Sequence, residues 1–362
     1  MKHKLVTLVL AVAVIVSMVV VGCAKPAPAP APAPAPTPAP TPAPAKPIEL
    51  RVSSWMPAQS VDTAIAEYLI KNIEERTNGR VHFTLYAAQA LGKAADHYDM
   101  AANGVADIAF QTLSNNPGRF PISDVLELPF VVPSSEVGGK IYWQLYQEFP
   151  EIQAEFDEVK VLGLGTIDAW NVFTAKSPVH TMGDLKGLKL RVPGGWSSDA
   201  LTALGGIPIG IPAPELYLAA QKGVIDGTVF GWEGIKSFRM YELMNYGTDV
   251  GGFTTLAQGL FMNWDSWNGL PPDIQKVIGE ELGTIWWATQ KGKLFHDQWA
   301  AEGKELFTEQ GGEIYVLPPD ELQKWTEAIL PIRDHWVSAM DSEGVPRRKI
   351  LDRALELSEK YK

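Results

Sequence analysis

Apolar and polar residues alternate from Glu49 to Ser54 and again from Val81 to Tyr86, the period of two that sends successive side chains to opposite faces of a strand. Between them Ile65, Leu69 and Ile73 recur every four residues, which predicts a helix capped by Ser60 or Asp62 and ended by Gly79. A helix from about Lys93 to Asn103, a short strand Asp107 to Phe110, a helix near Val137 to Phe149 and a strand Val159 to Gly165 complete a β-α-β-α-β order. This predicts α/β architecture. The second half continues in the same style, with strands near Trp170 to Thr174, Leu188 to Val192 and Thr228 to Phe230, and helices near Ser198 to Leu204 and Pro214 to Gln221. A helical stretch from Pro272 to about Leu306 exceeds the usual globular length and predicts a brace across the molecule, followed by a helix from Pro319 to Met340 and a short C-terminal one.

Ahead of these elements the pattern changes. Met1, Lys2, His3 and Lys4 precede an unbroken apolar or small-residue run, Leu5 to Gly22, with Cys23 directly after it. That is the layout of an export signal over residues 1–22; the run is marginal for a membrane-spanning helix and lacks a positive flank on its far side. Residues 24–47 then alternate Pro and Ala with a few Thr, a composition that buries nothing and lacks many backbone donors. In polyproline II form, at about 3.1 Å per residue, roughly 24 residues reach on the order of 70 Å, so 23–47 reads as a stiff tether.

Composition narrows the function classes. The chain is 46% hydrophobic and 20% charged, which suits a packed core from about Ile48 onward. Its only cysteine is Cys23, so no internal disulfide supports that core. A net charge of -11 with no basic run outside the leader argues against nucleic acid as a partner, while leaving room for a local anion site.

One segment carries such a site. Leu188 to Val192 reads as a strand ending in Arg191, Pro193-Gly194-Gly195 turns the chain, and Ser197 or Ser198 can cap the next helix. A guanidinium forks two hydrogen bonds to a carboxylate, and a nearby helix N-terminus favours negative charge. A structural salt bridge is the competing reading of Arg191. Among the 12 tryptophans, Trp55 follows the first predicted strand, whereas Trp286, Trp287, Trp299, Trp325 and Trp336 read as helix packing.

Catalytic patterns do not emerge. Gly163-Leu164-Gly165 begins like a dinucleotide loop, but Asp168 stands where the third glycine belongs and the run leads into another strand. There is no P-loop, Gly-x-Ser-x-Gly elbow or His-Glu-x-x-His, and His3, His82, His97, His180, His296 and His335 are scattered without ligand spacing. The expectation is no enzyme, no metal and no cofactor.

Several segments resemble, in order and over nearly the whole mature chain, the substrate-binding proteins of tripartite ATP-independent periplasmic (TRAP) transporters, the DctP family. They include Glu74 to Val81, Ala90-Leu91-Gly92, Asn103 to Ala109, Leu128-Pro129-Phe130, Asp184 to Pro193, Glu215 to Gly227 and Leu317-Pro318-Pro319. Val20-Val21-Gly22-Cys23 also resembles the bacterial lipobox, which implies a lipidated Cys23 and a lipid-anchored, extracytoplasmic protein. The resemblance implies a two-lobe periplasmic-binding-protein-like fold with crossing hinge strands, lobe I being 48–168 with 256–297 and lobe II 169–255 with 298–362. It implies a small organic acid held in the interlobe cleft and delivered to TRAP permease subunits. Within the shared motif Arg191 matches the carboxylate-binding arginine; the place of a second arginine is Asn171, and that of a frequent asparagine is Phe230. Both replacements favour one carboxylate on an apolar or aromatic body. Trp170, Trp55, Trp232, Gly194 and Thr112 complete the implied ligand contacts, with Asn115 in the same loop as Thr112. Glu233 either orients the arginine or caps a helix. The alternative roles are a ligand-binding accessory of a sensory system and a surface adhesion protein, for which a tether serves equally well.

Overall fold

The computed structural model describes residues 46–283, 286–339 and 344–362. The expected leader, Cys23, most of the tether and the helix end at Met340 lie outside the described residues. No helix among the described residues is long and apolar enough to cross a membrane.

Two mixed sheets form the frame. The first has the order β2-β1-β3-β10-β4, from β1 (Ile48–Ser53), β2 (Val81–Tyr86), β3 (Ile108–Thr112), β4 (Lys160–Thr166) and β10 (Ala257–Met262). Here β1 runs parallel to β2 and β3, while β10 runs antiparallel to β3 and β4. The second has the order β11-β9-β5-β8-β6-β7, from β5 (Trp170–Thr174), β6 (Lys189–Val192), β7 (Ile207–Gly210), β8 (Gly227–Gly231), β9 (Tyr246–Asp249) and β11 (Glu313–Val316). The chain passes between the sheets after β4 and again before β10. These crossings bond to each other, Trp170 N donating to Thr254 O (2.8 Å), Phe253 N to Trp170 O (3.2 Å) and Ile167 N to Leu256 O (3.1 Å).

The strands expected from alternation form, within a residue or two of the expected ends. Four do not announce themselves: β7 contains Pro208, β9 and β11 span four residues each, and β10 is buried along its whole length and so shows no alternation. At one edge of the second sheet β7 is held by Ile207 N donating to Leu188 O (2.8 Å) and Ile211 N to Val192 O (3.3 Å).

Helix Val61–Arg76 starts at Ser60, whose hydroxyl accepts from Thr63 N (3.3 Å), and it closes through Asn78 and Gly79 in left-handed conformation. Asp62, the other candidate cap, turns inward instead. The expected brace is helical but not uniform: α-helix Pro272–Lys276 widens into π-helical turns over Val277–Gly283 and Trp287–Asp297, then narrows to α-helix Gln298–Glu309. Wider turns at mid-helix often mark functional positions. Gly292 lets the brace touch the start of helix Ser135–Glu148, since a Cβ there would lie 2.4 Å from Glu136 N. Asp297 completes that junction by accepting from Ser135 N and Glu136 N, both at 2.9 Å.

The expected single helix from Pro319 is two, Pro319–Ile329 and Pro331–Ser338, because a proline within a helix removes one hydrogen bond and kinks the chain. Helix Arg347–Tyr361, expected in the second lobe, packs against helix Ser135–Glu148, which itself lies on β4 of the first sheet. Arg353 pairs there with Glu148 (2.8 Å), on helix Ser135–Glu148. A terminal helix docks where its apolar face is matched, and order along the chain does not reveal that place.

Candidate ligand-binding site

Arg191 lies on β6 with Thr228 of β8 opposite it, and its side chain is only 2% exposed. Its Nε donates to Ile211 O (2.7 Å), while among the described residues Nη1 has no hydrogen-bond partner. The guanidinium lies 5.3 Å from the centre of the Phe230 ring, a cation–π contact. Burial pulls its pKa down to about 9, which still leaves it charged at neutral pH. No described carboxylate forms an ion pair with it. The salt-bridge reading of this arginine therefore has no partner.

After Arg191 the chain turns at Gly194 and Gly195, whose positive φ of 123° and 57° suits glycine. Helix Trp196–Ala203 follows, with Gly195 rather than a serine at its cap; Ser197 Oγ donates to Gly194 O (2.6 Å). Trp196 Nε1 reaches from this segment to Asp124 Oδ2 (3.3 Å) and so ties the second sheet's side to the first.

Behind Arg191 is a small cavity of about 30 Å³. Trp170, Phe230, Phe238 and Trp55 wall it: Trp170 meets Phe230 edge-on at 5.6 Å, Phe230 lies 5.6 Å from Phe238, and Trp55 stacks on Phe238 at 6.4 Å. Met56, Thr112, Ile167 and Leu256 fill the gaps between the rings. In front of Arg191 a wider vestibule of about 650 Å³ opens among Lys93, Ser114, Asn115, Pro193, Pro212 and Glu215. Arg191, Asn115 and Pro193 border both spaces.

Of the residues expected at the cleft, Arg191, Trp170, Phe230, Trp55 and Thr112 meet at this cavity, and three do not. Asn171 follows Trp170 on β5, and the pleat points the two side chains oppositely; its Oδ1 accepts from Val250 N (3.0 Å). Trp232 packs edge-on against Phe173 (4.6 Å) and Phe307 (5.6 Å). Gly194 serves the turn rather than the wall.

The cavity's floor consists of Asp62, Gln258, Glu233 and His296, which lie far apart in sequence. Only Glu233 is expected near the arginine from the sequence; Asp62 reads there as a helix cap, and Gln258 and His296 are not anticipated. Gln258 Nε2 donates to both carboxylate oxygens of Asp62, at 3.0 and 2.8 Å, so its Oε1 faces away without a partner among the described residues. His296 is fully buried, and neither ring nitrogen has a hydrogen-bond partner; Nε2 stands 3.8 Å from Asp62 Oδ1. Burial, reinforced by Lys291, holds its pKa well below the ordinary histidine value, so the ring is neutral. Glu233 caps nothing with its carboxyl, which accepts from Ser237 Oγ; its backbone N–H donates to Asp168 Oδ2 (3.0 Å). Burial pushes Glu233 up to about 7.

Lys291, on the π-helical part of the brace, underlies this floor. Its Nζ donates to Thr166 O (3.0 Å) at the end of β4, where the chain leaves the first sheet. Burial brings its pKa down to about 7 against the pull of Asp62, Glu233, Asp297 and Asp168. A charge pattern confined to single buried residues amid ordinary core sequence gave no periodic cue to this cluster.

The family model for bacterial extracellular solute-binding proteins, family 7 (DctP), matches residues 52–339. Among solved structures, a TRAP solute-binding protein of Rhodoferax ferrireducens T118 in complex with copurified benzoate is 30% identical. That match covers 87% of this chain and 98% of the other, with a TM-score of 0.83. A TRAP periplasmic solute-binding protein of Bordetella bronchiseptica with bound (R)-mandelate and (S)-mandelate is 26% identical over 87% of this chain and 100% of its own, with a TM-score of 0.80. The C4-dicarboxylate-binding periplasmic protein DctP of Rhodobacter capsulatus is 23% identical over 305 residues, 83% of this chain and 90% of the relative. These matches favour transport over the sensory and adhesion readings. The chain belongs to the DctP family of bacterial extracellular solute-binding proteins, and is a non-enzymatic, solute-binding component of TRAP-type transport.

Proposed function

We propose that this protein binds an organic acid with a single carboxylate on an aromatic body and presents it to TRAP permease subunits. The observation that carries the proposal is Arg191, a buried cation with a free donor edge and no carboxylate partner among the described residues, set against aromatic walls. A bidentate ligand carboxylate supplies both the missing charge and the missing acceptors. Benzoate and mandelate in the two similar structures support the choice of an aromatic acid. Trp170, Phe230, Trp55 and Thr112 are the wall contacts in this reading. Closure is a hinge motion of the two lobes about the bonded crossings near Trp170 and Phe253.

The same proposal places the protein at the outer face of a membrane through a lipid on Cys23, with residues 23–47 as spacer and 1–22 as a cleaved leader. Cys23→Ser should then release the protein from membranes or leave an unprocessed precursor.

Calorimetric titration with benzoate tests the site. Arg191→Ala should weaken binding by roughly 30-fold to several thousand-fold, the usual cost of about 2 to 5 kcal/mol for removing one partner of a buried charged pair. Wild-type benzoate affinity in that variant would sink the clamp.

A further inference from the structure

We propose that the floor of the cavity is a second recognition point, where Asp62, Gln258 and His296 bind a hydroxyl or amine carried on the ligand's ring, away from its carboxylate. The inference rests on the reading of Arg191 as the carboxylate clamp and adds what the other end of the ligand must be.

The three side chains come from three separate elements: helix Val61–Arg76, β10 and the brace. All three are almost wholly buried and all border the same cavity as Arg191. Buried polar atoms are ordinarily paired, because an unpaired one has given up its hydration with nothing in return. Here Gln258 Oε1 and both nitrogens of His296 have no hydrogen-bond partner among the described residues. The unmet capacity is mostly acceptor: the amide oxygen and one nitrogen of a neutral imidazole, against a single imidazole N–H, while the Asp62 oxygens, each already accepting from Gln258 Nε2, keep further lone pairs. That inventory fits a group that donates, and a hydroxyl can also accept from the remaining N–H. It does not fit a second carboxylate, which would face Asp62 and Glu233. Trp55, Trp170, Phe230 and Phe238 line the same cavity and offer faces for the ligand's ring. Lys291 beneath the floor is already engaged with Thr166 O.

The test compares benzoate, 3-hydroxybenzoate, 4-hydroxybenzoate, 3-aminobenzoate and mandelate by calorimetry on the wild-type protein and on Asp62→Asn and Gln258→Leu. At least one ring-substituted donor acid should bind about ten-fold or more tightly than benzoate, because a site built around a donor discriminates against the analogue lacking it. Mandelate, whose hydroxyl adjoins the carboxylate, should gain nothing. Each variant should bring the ratio of substituted-acid affinity to benzoate affinity down to about one. Benzoate binding as tightly as every hydroxy and amino acid in the wild type would overturn the floor site and leave the Arg191 clamp standing. A preference that persists unchanged in both variants would also overturn it. Failure of every acid to bind the wild type would remove the clamp and the floor site together. The wild-type comparison needs no variant, so misfolding of one leaves the decision intact.

Discussion

Two cations are buried in this protein within the same neighbourhood, and they are treated differently. Lys291 donates to Thr166 O and feels four carboxyl groups, Asp62, Glu233, Asp297 and Asp168. Arg191 has one backbone carbonyl and the face of Phe230. Both lose hydration, and both pKa values fall for that reason. Only the lysine is answered by charges of its own chain. A buried cation surrounded by acids is part of the frame, whereas one left open on its donor edge is completed by something that comes and goes. The contrast separates support from site more sharply than cavity size does.

The comparison breaks if the two cations are exchangeable in a stability measurement. Lys291→Met should cost about 3 kcal/mol in urea unfolding, as expected when one partner is removed from a buried charge cluster. Arg191→Met should leave unfolding stability within about 1 kcal/mol of wild type, because desolvation of the guanidinium disappears along with its few contacts. Equal losses would show that Arg191 is structural after all.

Glu233 sharpens the comparison through pH. Its pKa in the folded protein is raised to about 7, above the ordinary glutamate value, so the unfolded chain releases this proton first. Wild-type stability from this group is therefore intact below the ordinary glutamate range and declines as pH rises toward 7. Glu233→Gln does not titrate. It should raise stability by about 1 to 3 kcal/mol at pH 8 and by little at pH 4.5, read as melting temperature at both values. A gain independent of pH would mean that the carboxyl is not held protonated by its burial.

The smallest effect belongs to a different void. A cavity of about 20 Å³ lies between helix Val61–Arg76 and the first sheet, bordered by Val52, Leu69, Ile108, Phe110 and Leu260. Its lining side chains are all apolar, so it is a packing gap. Val52→Ile should stabilise by up to about 0.8 kcal/mol, the value of one buried methylene, and leave calorimetric benzoate affinity unchanged. A change in affinity would tie that gap to the ligand site.

Much of the frame was legible in the sequence because it is local. Ser60 before Ile65, Leu69 and Ile73 specified a capped helix, and the alternation in Val81 to Tyr86 specified β2 to the residue. Arg191 was legible too, at the end of a short strand before two glycines. The strand β10 was not, since a segment buried on both faces has no period to read. Asn171 could have been placed from the sequence alone: neighbours on a strand face opposite ways, so Trp170 and Asn171 cannot share one wall. The floor was beyond local reading. Asp62 and Gln258 are 196 positions apart, and only the packing of helix Val61–Arg76 on the first sheet brings them into contact. Each looks ordinary where it stands: Asp62 as a helix-cap candidate, Gln258 inside an apolar run, His296 in a long helix.

The edge strand β7 has a consequence for how the molecule behaves among its own kind. Ile207 and Ile211 spend their N–H groups inward on β6, so the intervening even positions point their N–H direction outward. Pro208 occupies the first of these and has no N–H to offer. An exposed row of donors on a sheet edge is a template for pairing with another chain, and a proline there interrupts the row. This residue hid the strand from a reading of the sequence. It also breaks the donor row at this edge, so a second molecule cannot pair along β7 in an unbroken ladder.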